Sequence, residues 1–267
     1  MLDDKDIEAV AASLFEAEGT RRQTRALSVL HPEATIDDAY RVQEAFVARK
    51  IAAGGIVKGH KIGLTSKAMQ AAVGIGEPDS GYLLEDMFFA DGGIVPAGRF
   101  IGLRVEAELA FVLKTALSGP DVTLFDVLNA TDFVTPALEI LDTRFHRIDP
   151  ETKAGRKVVD TIADNASNAG IVVGGRPFRA TDHDMRWIGA ICTKNGAVEE
   201  TGLAAGVLNN PASGIVWLVR RLAGQGRGLE AGQIVLSGSF IRPIEVAGGD
   251  TIVADYGPFG TVSCHFA

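Results

Sequence analysis

The stretch LRVEAELAFVL, residues 103–113, alternates apolar and polar side chains and predicts a β-strand. Its odd-numbered positions are all apolar and share one face. Arg104, Glu106 and Glu108 lie on the other face, which becomes apolar again beyond them. Neighbours on one face are about 7 Å apart, so the two glutamates repel each other. Either a solvated face partly neutralised by Arg104 or a bound cation would relieve that repulsion.

A third acidic side chain lies within an apolar run. Residues 133–142, FVTPALEILD, surround Glu139 with apolar neighbours. A buried carboxylate needs an ion pair or a metal ion, and Arg144 is a candidate base. Pro136 predicts that this strand lies at a sheet edge or carries a bulge. The pattern leaves both an ion pair and a metal ligand as explanations of Glu139.

The composition is that of an ordinary globular protein, with 267 residues, 46% of them hydrophobic and 22% charged. A net charge of −8 argues against binding to nucleic acid or to an anionic membrane. The acidic start does not resemble a signal peptide, and no long apolar run follows it. Cys192 and Cys264 lie in strand-like segments and are expected to be reduced core residues. We therefore expect a cytoplasmic protein.

The order of elements predicts an α+β fold with helices first. Residues 1–55 form a helical region, in which Thr35 caps the second long helix. Residues 56–267 contain mainly short strands, including a hairpin that turns at Asn195-Gly196, and a helix opened by Asn210-Pro211. Strands and helices do not alternate regularly, which argues against a doubly wound sheet or a TIM barrel. Phosphate-binding glycine motifs and a nucleophile elbow are absent.

A lysine and an aspartate are candidate proton-transfer groups. The predicted strand 57–64 places Lys61 on one face between Gly59 and Gly63, which leaves room for a ligand. A surface lysine on a glycine-weakened edge strand is the alternative. Asp79 lies in the segment GEPDSG, which predicts a tight loop. It is either an ordinary turn residue or an acid held over a site.

Six stretches, taken together and in chain order, resemble one protein family. They resemble the hydratase and decarboxylase branch of the fumarylacetoacetate hydrolase superfamily, and the likeness extends over nearly the whole chain. The stretches are HKIGLTSK (60–67), EPD (77–79), RVEAELAF (104–111), PALE (136–139), DNASNAG (164–170) and GSF (238–240).

The resemblance implies a mixed β-roll preceded by helices, with residues 56–267 as the metal-binding catalytic domain of a homo-oligomer. It implies a divalent ion, Mg²⁺ or Mn²⁺, held by Glu106, Glu108 and Glu139, and carboxylates suit such hard cations. It also implies that Lys61 and Asp79 lie beside the metal as the catalytic pair. One of them would move protons and the other would activate water, and the two roles are interchangeable at this point.

The implied substrate is a 2-hydroxy-2,4-dienoate. Four further stretches favour the members that hydrate 2-oxohept-4-ene-1,7-dioate to 4-hydroxy-2-oxoheptane-1,7-dioate in homoprotocatechuate catabolism. Arg25, His146 and Arg156 are candidates for binding the distal carboxylate, and Asn165 and Ser239 for donating hydrogen bonds to the substrate. The four stretches are KGHK (58–61), DMFF (86–89), IDPET (148–152) and AGQI (231–234).

Other functions are compatible with the same residues. A 4-oxalocrotonate decarboxylase or a 2-hydroxypenta-2,4-dienoate hydratase would use the same carboxylates and lysine. A non-catalytic, metal-stabilised binding module would keep the carboxylates while Lys61 and Asp79 served structure. Hydrolases of the wider superfamily use a His–Glu pair to activate water, and His60 lies on the opposite strand face from Lys61. The sequence shows no clear His–Glu pair of this kind, which argues against a hydrolase.

Overall fold

The computed structural model describes residues 1–267. Its helices are α1 (Asp4–Thr20), α2 (Leu27–Leu30), α3 (Ile36–Ala52), α4 (Lys67–Val73), α5 (Leu124–Ala130), α6 (Val158–Ala163) and α7 (Pro211–Ala223). Its strands are β1 (Val57–Gly63), β2 (Asp79–Leu84), β3 (Phe88–Ala90), β4 (Gly93–Val95), β5 (Arg104–Leu113), β6 (Leu117–Ser118), β7 (Thr131–Leu141), β8 (Asn168–Val173), β9 (Gly189–Lys194), β10 (Ala197–Leu203), β11 (Gly228–Leu229), β12 (Ile234–Leu236), β13 (Ile244–Glu245), β14 (Thr251–Asp255) and β15 (Thr261–Phe266).

Two mixed sheets enclose the main core. The larger sheet has the order β2-β1-β12-β5-β7-β8-β3, with β13 also paired to β5. The smaller has the order β10-β9-β14-β15-β4, and β11 and β6 form a separate pair. Val105, Ala107 and Leu109 on β5 are fully buried in the largest apolar cluster, to which α7 also contributes. The predicted α+β class is thus confirmed, and the alternation of β5 places its apolar face in this core.

The N-terminal helices form a second apolar cluster. Thr35 caps α3 through a capping box with Asp38, as its position predicts. The cluster joins α1 and α3 to Phe145, Val159 and Ile162, which lie far along the chain. The proposed boundary at residue 55 therefore falls in the turn between α3 and β1, while apolar packing continues across it.

Several local predictions are confirmed. Asn195 and Gly196 both have positive φ, 53° and 83°, as a type I′ hairpin turn between β9 and β10 requires. The Asn210 side chain caps α7 by accepting a hydrogen bond from the backbone of Ala212. Cys192 and Cys264 are buried free thiols. None of the helices combines the length and the apolar character needed to cross a bilayer.

Two local predictions are wrong. Asp79 is not in a loop: it begins β2, pairs with Gly63 of β1 and is buried. Pro136 marks neither an edge nor a bulge, because β7 lies between β5 and β8 and its pairing is regular there. The Pro136 carbonyl accepts from Gly174 N–H just beyond the last β8 residue. In an antiparallel sheet the N–H and C=O groups of one residue point towards the same neighbouring strand. The N–H that Pro136 lacks would therefore point towards β8, at a position beyond the last residue of that strand.

The hydroxyl of Tyr256 lies buried between β5 and β7. It donates to the Ala137 carbonyl at 2.7 Å and accepts from Glu108 N–H at 3.1 Å. Tyr256→Phe leaves these buried groups without a partner and should lower the free energy of unfolding by about 1–3 kcal/mol. Urea titration measures the loss. Tyr82→Phe is the matched control, because its hydroxyl bonds to Arg227 near the surface and should cost less; equal losses would contradict the assignment.

Candidate metal centre and active site

Three glutamates from two neighbouring strands form an acidic cluster, here called the carboxylate triad: Glu106, Glu108 and Glu139. Glu106 on β5 lies directly opposite Glu139 on β7, and Glu108 follows on the same face of β5. One oxygen from each lies within 4.8 Å of the others. Glu108 and Glu139 are buried, whereas Glu106 is half-buried at the edge of a cavity. Three converging carboxylates match the oxygen ligands of a hard divalent cation.

The hydrogen bonds of the triad leave oxygens free. Glu108 Oε2 accepts from Gly238 N–H at 2.7 Å, and Glu139 Oε1 accepts from the Asn168 amide at 2.7 Å. The other oxygens, Glu108 Oε1 and Glu139 Oε2, are buried and have no hydrogen-bond partner. Buried acceptors are rarely left unsatisfied, and a cation would satisfy both. The residues present therefore fit a metal ion.

Electrostatics also favours a cation at the triad. Burial raises the pKa of Glu106 to about 8 and the pKa of Glu108 well above its usual value. The charge of Glu139 adds to both shifts, while Lys61 opposes them. Without an ion, protons must relieve the repulsion; a divalent ion would displace those protons.

Lys61 extends from β1 to the triad. Its Nζ lies 3.3 Å from Glu139 Oε1 and donates to the Ala166 carbonyl at 3.1 Å. Burial opposes its charge, but Glu139, Asp79 and the rest of the triad outweigh burial and raise the Lys61 pKa. The side chain is thus a buried ammonium with Glu139 as partner. Arg144, the base considered from the sequence, instead pairs with Asp164.

Asp79 lies beside Lys61, over Gly63. A Cβ placed on Gly63 would lie 2.3 Å from Asp79 Oδ1 and 3.0 Å from Lys61 Nζ, so a larger residue there would displace these two groups. Asp79 Oδ1 is buried and unpartnered. Burial raises the Asp79 pKa to about 6, although the Lys61 charge opposes this shift. The glycine-flanked strand therefore brings an ammonium and a carboxylate together beside the triad.

A left-handed turn supports Lys61 from the other side. Asn165, Ala166 and Ser167 have positive φ angles of 53°, 49° and 60°, a strained run for residues other than glycine. The Asn165 amide group holds this run against β2, accepting from Tyr82 N–H at 2.7 Å and donating to the Tyr82 carbonyl at 3.0 Å. The turn thereby directs the Ala166 carbonyl towards Lys61.

A cavity of about 530 Å³ opens next to these groups. Lys61, Asp79 and Glu106 line it, and so do the guanidinium-bearing residues Arg104 and Arg156. Ser66 and Met69, at the start of α4, also line it. A volume of this size is typical of a small-molecule site.

The candidate substrate-binding residues are separated in space. Ser239 lines the cavity, but its hydroxyl bonds to the backbone of Ile241 in its own turn. Asn165 is used to hold Tyr82, and Arg25 forms salt bridges with Asp149 and Glu151 outside the cavity. The structure thus brings Ser239 to the cavity and leaves Arg25 and the Asn165 side chain outside it.

Of the other two candidates for the distal carboxylate, only Arg156 lines the cavity, and His146 does not. Sequence reasoning missed Arg104 as a cavity residue. The available signal was its position on the same face of β5 as Glu106. The alternation pattern alone indicates only a neutralising charge at Arg104.

Comparisons with known proteins show the family of this chain. The chain is 58% identical over 257 residues to the 2-oxo-hept-4-ene-1,7-dioate hydratase of Escherichia coli, covering 96% of each chain. A 4-oxalocrotonate decarboxylase from Pseudomonas putida G7, solved with magnesium and adipate, is 34% identical with a TM-score of 0.93 and covers 100% of this chain and 99% of that one. The chain belongs to this family of hydratases and decarboxylases. A scan of family models gave no match.

A more distantly similar solved structure shares the fold. A fumarylpyruvate hydrolase from Pseudomonas aeruginosa, solved with Mn²⁺ and pyruvate, is 15% identical and has a TM-score of 0.57, covering 78% of this chain and 88% of that one. At that identity the likeness concerns the fold alone. The expected fold, a mixed β-roll preceded by helices, is thus confirmed for this chain.

Loss of one triad carboxylate should abolish tight binding of a divalent ion. Glu106→Gln and Glu108→Gln each remove a charged ligand, and we expect Mn²⁺ affinity to fall by at least about 100-fold, since changes outside the ligand shell already cost 10–100-fold. Isothermal titration calorimetry measures this. Glu200→Gln is the matched control, because Glu200 lines the same cavity but pairs with Arg242. Unchanged affinity in the triad variants would contradict a metal site here.

Without metal, the stability of the protein should fall as pH rises through the neutral range. Folded protein keeps a proton on Glu106 up to about pH 8, whereas the unfolded chain releases it near the ordinary pKa of 4.5. The folded state therefore binds more protons in this window, and the free energy of unfolding decreases with pH. Urea titrations in a chelator should show a shallower decrease for Glu106→Gln. Identical slopes for both proteins would show that Glu106 titrates normally.

Proposed function

We propose that the protein is a metal-dependent hydratase that adds water to 2-hydroxyhepta-2,4-dienedioate, the enol of 2-oxohept-4-ene-1,7-dioate, giving 4-hydroxy-2-oxoheptane-1,7-dioate. The observation that carries this proposal is the convergence of Lys61 and Asp79 on the carboxylate triad at the wall of one cavity. The 58% identity to the Escherichia coli hydratase supports the choice of reaction.

In this proposal Glu106, Glu108 and Glu139 hold the ion, for which Mg²⁺ or Mn²⁺ is suited by the oxygen ligands. When bound, the ion supplies Lewis-acid stabilisation of the negative charge that develops on the 2-oxo acid. The magnesium in the related decarboxylase structure supports this choice. The Gly238 N–H and the Asn168 amide orient two of the three carboxylates.

Lys61 donates hydrogen bonds to the C2 oxygen. An ammonium has three donors, and contacts with the Ala166 carbonyl and Glu139 use two of them, so one is left for a substrate. This donor stabilises the oxyanion that forms when the C2 hydroxyl loses its proton; C5 then gains a proton, which leaves the C3–C4 double bond in conjugation with the ketone. The buried position excludes water as a competing partner.

Asp79 moves the proton of the attacking water. Its Oδ1 is buried without a partner beside Lys61, so it is available to accept a proton from a water that adds at C4. Without a carboxylate, as in Asp79→Asn, the water keeps its proton and remains a poor nucleophile. Lys61 as oxyanion donor and Asp79 as base thus divide the two tasks that hydration requires.

Two finer assignments belong to the same proposal. The reaction belongs to homoprotocatechuate breakdown, as the family resemblance implies, and the name of the Escherichia coli relative supports the substrate. We also propose a homo-oligomer. The family resemblance implies this assembly.

Lys61→Ala and Asp79→Asn should each lower kcat/KM about 10²–10⁴-fold while the protein remains folded. The assay follows loss of dienol absorbance with Mg²⁺ present and measures folding separately by circular dichroism. Ser66→Ala is a suitable control, because Ser66 lines the cavity but serves as the N-cap of α4. Near-normal turnover in either variant would remove that residue from the mechanism.

The product mass separates hydration from the other reactions. A gain of one water supports the hydratase, while loss of carbon dioxide from 4-oxalocrotonate would indicate a decarboxylase. The 0.93 TM-score with a decarboxylase makes that second substrate worth testing. No turnover of either substrate would favour a non-catalytic binding module.

A further inference from the structure

Two arginines face the cavity without an acidic partner. Arg104, at the start of β5, makes no side-chain hydrogen bond, and its Nε is buried and unsatisfied. Arg156 donates only to neutral groups, the hydroxyls of Thr143 at 2.7 Å and Ser167 at 3.5 Å. Both side chains are half-buried and line the cavity. A guanidinium withdrawn from water normally pairs with an anion, so both are incompletely satisfied.

Two other arginines of the protein do have acidic partners. Arg147 pairs with Glu245 at 2.9 Å, and Arg242, also at the cavity, pairs with Glu200 at 2.7 Å. Arg104 and Arg156 form no such salt bridge. Burial lowers the pKa of Arg104, and so do the nearby charges of Arg147 and Arg156, while Glu106 and Glu245 act in the opposite direction. The guanidiniums of Arg104 and Arg156 therefore lie near each other in the cavity wall.

The positions of the two ends match an extended dianion. Arg104 and Glu106 are alternate residues on one face of β5, so their side chains leave the strand about 7 Å apart. The carboxylates of a seven-carbon diacid are separated by six carbon–carbon bonds, roughly 7–8 Å when extended. The offset of Arg104 from Glu106 along the strand is thus of the same order as the length of such a diacid.

We propose that Arg104 and Arg156 form an anion subsite that binds the far carboxylate of a dicarboxylic 2-oxo acid and so selects dicarboxylic over monocarboxylic ligands. The subsite rests on the proposed function for the orientation of the ligand, with its 2-oxo acid end at the triad. Guanidinium groups suit the task because their planar donors bind a carboxylate in a bidentate manner. Arg104 and Arg156 are specificity residues, while Lys61 stabilises the oxyanion and Asp79 moves the proton.

Binding of unreactive analogues tests the subsite without turnover. Isothermal titration calorimetry with Mg²⁺-loaded protein compares 2-oxoheptanedioate with 2-oxoheptanoate, which lacks the distal carboxylate. We expect the wild type to prefer the diacid about 10- to 100-fold, the range of a hydrogen bond to a charged group. Arg104→Gln and Arg156→Gln should each weaken diacid binding and leave the affinity for the monoacid unchanged.

Two further variants make the result decisive. Arg104→Lys retains the charge but loses the bidentate geometry, so it should keep part of the preference even if Arg104→Gln folds poorly. Arg242→Gln is the matched control, because that arginine lines the same cavity and already has an acidic partner. It should retain the full preference for the diacid.

Equal affinity of the wild type for the two acids would overturn the subsite, as would equal losses for both acids in the Arg104 and Arg156 variants. The outcome is separable from the reaction itself. A diacid preference that depends on these arginines, found in a protein that does not hydrate the dienol, would contradict the proposed function and leave the subsite standing. Hydration without any diacid preference would contradict the subsite alone.

Discussion

The structure depends on an unfavourable pairing between β5 and β7. Their register puts Glu106 opposite Glu139, with Glu108 next along the face, while the other face of β5 is fully buried. A shift by one residue would relieve the repulsion but would turn the apolar face of β5 away from the core. The hydrophobic core therefore enforces the acidic cluster. The fold tolerates this cost because a cation and Lys61 can neutralise it.

The elements around the carboxylate triad position the groups that contact it. Gly63 leaves space for the Lys61 ammonium and the Asp79 carboxylate, and the strained turn at Asn165 fixes a carbonyl on Lys61. A strained backbone persists where other contacts hold it in place. Here the two hydrogen bonds between the Asn165 amide group and the Tyr82 backbone do so. The site is thus built mostly on strands, which position side chains more rigidly than loops. The cavity adds the arginine-rich end.

The sequence predicted those features that depend on local pattern. Alternation identified β5 and its two faces, and capping and turn residues located α3, α7 and the β9–β10 hairpin. Features set by tertiary pairing were missed. The loop-like composition around Asp79 gave no hint that β1 pairs with it, and Pro136 suggested an edge because strand neighbours are invisible locally. The convergence of Arg104 and Arg156 likewise depends on segments that lie far apart in the sequence.

The most direct test of the account is a crystal structure of the protein grown with Mn²⁺, with the ion located by its anomalous scattering. The account predicts one strong peak enclosed by Glu106, Glu108 and Glu139, with an oxygen of each at a bonding distance of about 2.0–2.6 Å. An ion bound elsewhere, or an ion-free triad in Mn²⁺-saturated crystals, would contradict the claim that the β5–β7 pairing exists to hold a metal.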